Sequence, residues 1–390
     1  MTAPEPDAGA SAWAAAMHQL AGAGDRLAAL MAERGEPEGD ADAFVALLGA
    51  TMDTYLNQIS ADPDFPTFVP CCGYYQHLGS PNPDTVYRRA PVDASGTYRI
   101  TGELGTARQV TIMPFTARMG SFEPFDLAEL TTGPDGRFDV LVGAERPAGH
   151  TGDWWPLVPE TASLWLRVVS DDWGNEREPR VAIRRVDGPR RRPRPDAEPI
   201  TAKLAALGMI VEHMIGYGVT HTDELVADGF VNQLKLVDYG PNGGMPLQWY
   251  HEGLFDLDDG DALLLEATVP EGCDYFSFSL TDRMFVTLDW THAPTTLNRN
   301  QAGLDDDGVL RVVVAHDDPG IRNWMDTTGY RRGVVQCRWI GSVEAPALTA
   351  RVVSVDALGV ELPHAVRITP EERERELDAR RVGAQLRSLW

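Results

Sequence analysis

Cysteine is scarce in this chain, with four residues in 390, two of them adjacent at Cys71 and Cys72. Neither a Cys-x-x-Cys spacing nor the density of a disulfide-stapled scaffold is present, so the thiols are expected to be reduced and structural. Positive charge is also short. Thirty-four Lys and Arg against 58 Asp and Glu leave a formal charge of −24. That excess repels nucleic-acid phosphates and anionic membrane surfaces, so no nucleic-acid and no membrane partner is expected. No uncharged apolar run reaches the roughly 18 residues of a membrane helix, and the N-terminal residues lack the basic and apolar blocks of a secretory signal; a cytoplasmic protein is the default expectation.

The familiar chemical signatures are missing as well. There is no Gly-x-Ser-x-Gly elbow, no phosphate-binding glycine loop and no dinucleotide fingerprint, so no cofactor is expected. His213 follows Glu212 in a helical stretch but Tyr217 stands where a second zinc-binding histidine would, and the acidic string from Asp256 to Asp261 has Ala267 in place of a calcium loop's closing glutamate. No metal is expected either, although His77, His251 and His316 are the histidines a metal-dependent hydrolase would have to use.

What the chain does have is a duplication. GTYRITGELGTARQVTIMPF from Gly96, PDGRFDVLVG from Pro134 and SLWLRVVSDDW from Ser163 are matched by LLLEATVPEGCDYFSFSLTD from Leu263, DDGVLRVVVAHDDPG from Asp306 and GVVQCRWIGS from Gly333. In each copy the last strand carries an arginine, Arg167 or Arg338. Alternating patterns without a βαβ rhythm indicate sheets with one buried face. The expected fold is mainly β with helical additions: two related antiparallel β-sandwich-like units joined and flanked by helices. The expected divisions are an N-terminal helical region over 1–65, a first β unit over 66–195, connecting helices over 196–245, a second β unit over 246–362 and a C-terminal helical tail over 363–390. Within the connecting region one helix is expected from Pro199 and a second, short one from Thr222 to Lys235. Six arginines between Arg184 and Arg194, interrupted by prolines, suggest a solvated extended segment. A duplicated unit builds a scaffold, and a site is expected where the copies differ.

Three clusters could carry chemistry. After the strand ending at His316, the residues Asn323, Trp324, Asp326 and Tyr330 follow within one loop, which could place an imidazole, a carboxylate, an amide and an indole around one pocket; the same residues also have ordinary turn chemistry. The proline-fixed segment SPNPDTVYRR holds Asn82, Asp84, Tyr87 and Arg88, either as a site or as an anchor in which Asp84 meets an arginine. QWYHEGLFD brings Trp249, His251 and Glu252 together in sequence, yet alternation on a strand points adjacent side chains apart.

The strings NPDTVYRRAPVD, DRMFVTLDW, LNRNQAGLDDDGVLRVVVAHDDPG and NWMDTTGYRRG resemble the paired bacterial domains of unknown function called twelve-fifty-four and twelve-fourteen, the second half being more similar to the latter. The resemblance implies a largely β architecture in two related halves and no established reaction; Tyr330 stands where relatives often have a histidine. On this basis the leading expectation is an enzyme without a nucleotide cofactor, a hydrolase, lyase or isomerase, acting on a small apolar or aromatic ligand between the β units. His316, Asp326 and Asp84 are its candidate catalytic residues. Asn82, Tyr87, Arg88, Asn298, Asn323, Trp324, Tyr330 and Trp249 are the candidate binding residues. The alternative is a non-catalytic small-molecule-binding or interaction protein on the same scaffold. The C-terminal helix, ending at Leu389 and Trp390, has two docking options, its own chain or a second copy, so a homo-oligomer is one expected state.

Overall fold

The computed structural model describes residues 8–33, 39–73, 75–194, 196–239 and 248–387. Nine strands in the first half are repeated, strand for strand, by nine in the second. The first set is β1 (Val69–Cys72), β2 (Thr85–Pro91), β3 (Tyr98–Glu103), β4 (Gln109–Thr116), β5 (Phe125–Asp126), β6 (Arg137–Gly143), β7 (Asp153–Pro156), β8 (Thr161–Val169) and β9 (Arg180–Arg185). The second is β10 (Lys235–Val237), β11 (Gln248–Asp256), β12 (Asp261–Ala267), β13 (Tyr275–Thr281), β14 (Thr296–Asn298), β15 (Leu310–Ala315), β16 (Trp324–Asp326), β17 (Arg332–Ile340) and β18 (Leu348–Ser354). The five-stranded sheets run β1-β2-β8-β4-β5 and β10-β11-β17-β13-β14, and the four-stranded sheets β7-β6-β3-β9 and β16-β15-β12-β18. Even the exceptions match, because β6–β7 and β15–β16 are the two parallel pairs in otherwise antiparallel sheets. Mainly β, in two similar sandwich-like units with helices joining and flanking them, is thus the architecture.

Each unit closes on its own core. Ile100, Val140, Ile112, Leu164 and Leu166 fill the first, and Phe278, Val312, Val314, Cys337 and Trp339 the second. Strand alternation explains this directly: Leu164, Leu166 and Val168 turn inward on β8 while Ser163, Trp165 and Arg167 take its other face.

The helices α1 (Ala8–Glu33), α2 (Gly39–Thr54) and α3 (Ala197–Ala227) form a third cluster through Leu27, Met31, Ala46, Leu207, Val211 and Ile215. Where two connecting helices were expected, α3 is a single helix of 31 residues. Its buried positions continue past the expected break through Val219 and Leu225, and the Thr222 hydroxyl donates to Arg283 O at 2.6 Å. The chain turns at Gly229, in the left-handed region at φ 83°, and enters β10 without a second helix. The arginine-rich segment leaves β9 and runs exposed through Arg190 to Arg194, with surface pairs from Arg185 to Asp64 at 2.8 Å and from Arg192 to Asp62 at 3.2 Å.

After α4 (Leu358–Glu361), helix α5 (Pro370–Leu386) starts from a capping box in which Thr369 and Glu372 satisfy each other's backbone amides. It docks on its own chain: Arg373 pairs with Asp318 at 2.9 Å, and Arg380 donates to Thr296 O at 2.7 Å. Leu389 and Trp390 lie outside the described residues. Among those described, no helix is long and apolar enough to cross a membrane.

Candidate functional site between the five-stranded sheets

The outward faces of the two five-stranded sheets are not surface. On β13 and β14, Ser277, Ser279, Thr281, Thr296 and Asn298 are all fully buried although they face away from the sandwich core. Segments of the first unit and α3 cover them, so the polar faces of the duplicated sheets become the interior of the whole chain.

One buried joint fastens the units. Asp84 accepts from Tyr275 Oη at 2.5 Å, Asn298 Nδ2 at 2.7 Å and Trp173 Nε1 at 2.8 Å. Asn82 accepts from the Asp84 amide at 3.1 Å and donates to Tyr275 Oη at 2.8 Å. Burial pushes the Asp84 carboxyl upward against the pull of these three donors and of Arg387. From α5, Arg387 donates to the carbonyls of Pro83 and Asp84 at 2.6 and 2.8 Å. Arg380 and Arg387 both lie over the Trp173 ring. Three sequence candidates, Asn82, Asp84 and Asn298, therefore meet in one network, with every Asp84 oxygen engaged.

Beside the joint, register reveals a matched pair of pairs. Tyr87 is opposite Arg167 in the first unit and Tyr250 opposite Arg338 in the second. Each guanidinium lies over its tyrosine ring, at 5.9 and 5.8 Å. Burial pushes both phenols up, and the charges of both arginines oppose it at each, so each phenol is within electrostatic reach of both guanidinium groups. Two residues along the same faces the copies diverge: Arg89 opposite Trp165 in the first unit, Glu252 opposite Gln336 in the second.

Glu252 is fully buried. Its Oε2 accepts from Tyr239 Oη at 2.6 Å and Gln336 Nε2 at 3.2 Å, and lies 3.2 Å from His221 Nε2 on α3. Its Oε1 has no partner. Burial works against the charge of Glu252, but the hydrogen bonds and charge of His221, with Tyr239 and Gln336, prevail and hold the carboxyl below its ordinary value. Close approach of α3 makes this possible. A Cβ on Gly218 would lie 2.1 Å from Met284 O, so only glycine lets the helix settle where His221 reaches the sheet and packs, tilted, against Phe285 at 4.4 Å. Phe285 and Ser80 both hold positive φ, at 62° and 49°. The amide of Ser80 donates to Phe285 O at 3.0 Å, its Oγ reaches Gln336 at 3.0 Å, and its carbonyl accepts from Arg338. Backbone strain of this kind persists where surrounding contacts enforce it, often at functional sites.

His251, the sequence neighbour of Glu252, points into the core against Trp339, and burial lowers its imidazole to about 4. Trp249 likewise packs inward and donates to Ser342 O at 3.1 Å. Alternation takes Arg88 off the inter-sheet face, toward Glu178 at 3.8 Å. Tyr87 remains on the face and borders a surface cleft of about 480 Å³, open solvent included, that runs past Trp290 to Arg387.

The second sequence cluster lies on the opposite, four-stranded sheet. His316 Nδ1 is 2.6 Å from Thr327 Oγ1 and Nε2 3.3 Å from Leu257 O. Asp326 accepts from the Thr328 amide at 2.7 Å, an Asx turn. Asn323 ties Gly303 to Arg311, Trp324 donates to Ala315 O and receives Arg373 from α5, and Tyr330 Oη reaches Asp42 at 2.5 Å. This cluster holds loops and helices against its sheet and does not meet the inter-sheet group. Sequence reasoning missed His221, Tyr239 and Gln336. It had marked the arginines as the repeat's shared feature, and the divergence at Arg89 and Glu252 was available from the same alignment of copies.

Among the described residues no three His, Cys, Asp or Glu side chains gather as a metal site. No family model matches the chain, and no curated protein does. Among solved structures it is similar to an uncharacterised protein from Burkholderia cenocepacia, 25% identical, covering 89% of this chain and 98% of that one with a TM-score of 0.82. A Vibrio parahaemolyticus protein is 12% identical over 78% of this chain and 97% of that one, with a TM-score of 0.46, too low to support a shared fold.

Proposed function

We propose that the protein is an enzyme that performs acid–base chemistry, without a nucleotide cofactor, on a small aromatic or apolar compound held between the two β units. The observation that carries this reading is the buried Glu252–His221–Tyr239 group, in which Glu252 Oε1 is left unpartnered. An ionised carboxylate fixes the imidazole's orientation and stabilises its protonated form, and a positioned imidazole can take a proton from a bound compound or give one to it. His221 Nδ1, which has no hydrogen bond among the described residues, is then the atom that takes or gives the substrate proton. The aromatic face made by Tyr87, Tyr250 and Trp165 supplies the apolar walls. Proton transfer of this kind serves isomerisation, elimination and hydrolysis alike.

The test is turnover of aromatic compounds by the wild type and by Glu252→Gln and His221→Asn, each checked for cooperative unfolding. Loss of about 10²-fold or more in kcat with little change in KM is expected for both variants. Turnover that survives both substitutions would contradict the assignment. A binding protein without catalysis is favoured by one feature, the first-unit half of the face, where Ser163 Oγ and Trp165 Nε1 are buried without partners. It would show as tight binding with no chemical change in the ligand.

A further inference from the structure

Arg167 stands on the central strand of its sheet, and its guanidinium lies between the rings of Tyr87 and Phe115 at 5.9 and 5.8 Å. Its Nε is buried and makes no hydrogen bond, and among the described residues no carboxylate pairs with it. Arg338, its counterpart in the second unit, is held by neutral groups only: Ser279 Oγ at 2.9 Å, Ser80 and the side-chain oxygen of Gln336. Arg338 has a carboxylate nearby, Glu252, reached through Gln336, whereas Arg167 has no such anion among the described residues. Three further groups there lack partners, Trp165 Nε1 and Ser163 Oγ on the Arg167 face of β8 and Ser277 Oγ opposite Arg338. Each buried unsatisfied polar group costs about 1–3 kcal/mol, and such groups persist where something else satisfies them. Water can complete a hydroxyl or an indole, but it does not neutralise the guanidinium charge of Arg167.

We propose that the space around Arg167 binds an aromatic monocarboxylate, its carboxylate on Arg167 with Trp165 Nε1 as a further donor, and its ring among Tyr87, Phe115 and Tyr250. Planar guanidinium matches a carboxylate in two parallel hydrogen bonds. The rings already packed there, Phe115 tilted against Trp165 at 4.7 Å and Tyr239 edge-on to Tyr250 at 4.7 Å, offer apolar walls for an aryl group. The chain's charge of −24 disfavours multiply charged anions such as nucleotides. This inference rests on the inter-sheet face being the ligand site, and it adds the anionic group that Arg167 would hold while Glu252 and His221 act elsewhere on the molecule.

The experiment is calorimetric titration of the full-length protein with benzoate, phenylacetate and cinnamate, each beside its neutral primary amide, and with inorganic phosphate. At least one acid is expected to bind tenfold or more tightly than its amide in the wild type. Arg167→Gln should bring that acid to the level of the amide, and His316→Gln, on the opposite four-stranded sheet, should leave its affinity within about twofold. Acids that bind no better than their amides to the wild type would overturn the proposal without reference to any variant, and so would equal binding of phosphate. Arg167-dependent binding with no turnover sensitive to Glu252 would keep this inference and remove the enzymatic reading. Turnover of neutral aromatics with no preference for acids would do the reverse.

Discussion

Replacing Asp84 by alanine tests whether the joint between the units is as consequential as its geometry implies. The carboxylate is fully buried and accepts from Tyr275, Asn298 and Trp173 at 2.5, 2.7 and 2.8 Å. Alanine leaves three buried donors unpaired, each costing about 1–3 kcal/mol, partly relieved by a water entering the vacated space. It also strips the compensating charge from Arg380, whose guanidinium burial already lowers to about 10 and which Asp84 helps to hold charged. The sum is about 3–6 kcal/mol, a large part of the roughly 5–15 kcal/mol typical of a folded protein. Asp84→Asn keeps the acceptor for Trp173 and Asn298 but turns a donor toward Tyr275, and should cost about 1–2 kcal/mol. Urea unfolding followed by tryptophan fluorescence reads both, because Trp173 sits in the joint; the earliest transition should move to lower denaturant, further for alanine than for asparagine. Two variants within about 1 kcal/mol of the wild type would show that the network is dispensable and that the units are held together by other contacts.

Gly218→Ala should push α3 away from the loop at Met284, since the new methyl would sit 2.1 Å from that carbonyl; a stability loss of about 1–3 kcal/mol together with weakened turnover is expected, and unaltered activity would separate α3 from the site. Burial raises the Asp53 carboxyl from 3.8 to about 7. The native state therefore holds a proton that the unfolded chain releases, and stability falls as pH rises through that window. Asp53→Asn should remove this fall, on the order of 2–4 kcal/mol between pH 4 and pH 8, as read by thermal or urea unfolding across pH; parallel pH profiles would refute it. His316→Gln distinguishes the two polar clusters: loss of its bonds to Thr327 and Leu257 should cost about 1–2 kcal/mol of stability while substrate turnover persists, and abolished turnover in a folded variant would move the chemistry to the four-stranded sheet.

The scaffold was legible because duplication and alternation are local properties of sequence. Strings such as VLRVVVA and YRITG declare a two-residue period, and their recurrence declares two sandwiches. What joins the sandwiches was only partly legible. Asn82 and Asp84 stood out through the prolines that fix their loop, but their partners Tyr275 and Trp173 are 191 and 89 residues away and carry no mark of their own. His251 beside Glu252 was the visible pair, and alternation correctly set it aside; the histidine that does reach Glu252 is His221, 31 residues earlier on a helix whose placement depends on a glycine contact no periodicity encodes. The second helix expected after Thr222 failed for a related reason, since the buried stripe continuing to Leu225 outweighed the polar residues around it. The His316 loop looked dense in function because Asn, Asp and Gly are the residues both of sites and of turns, and the structure shows them fastening turns.

A crystal structure of the protein with an aryl carboxylate bound decides whether the facing sheets hold a ligand. The ligand is expected between β8 and β17, its carboxylate on Arg167 and its ring beside Tyr87 and Tyr250. Ordered water alone around Arg167, Trp165 and Ser277, with the ligand elsewhere or absent at saturating concentration, would contradict it.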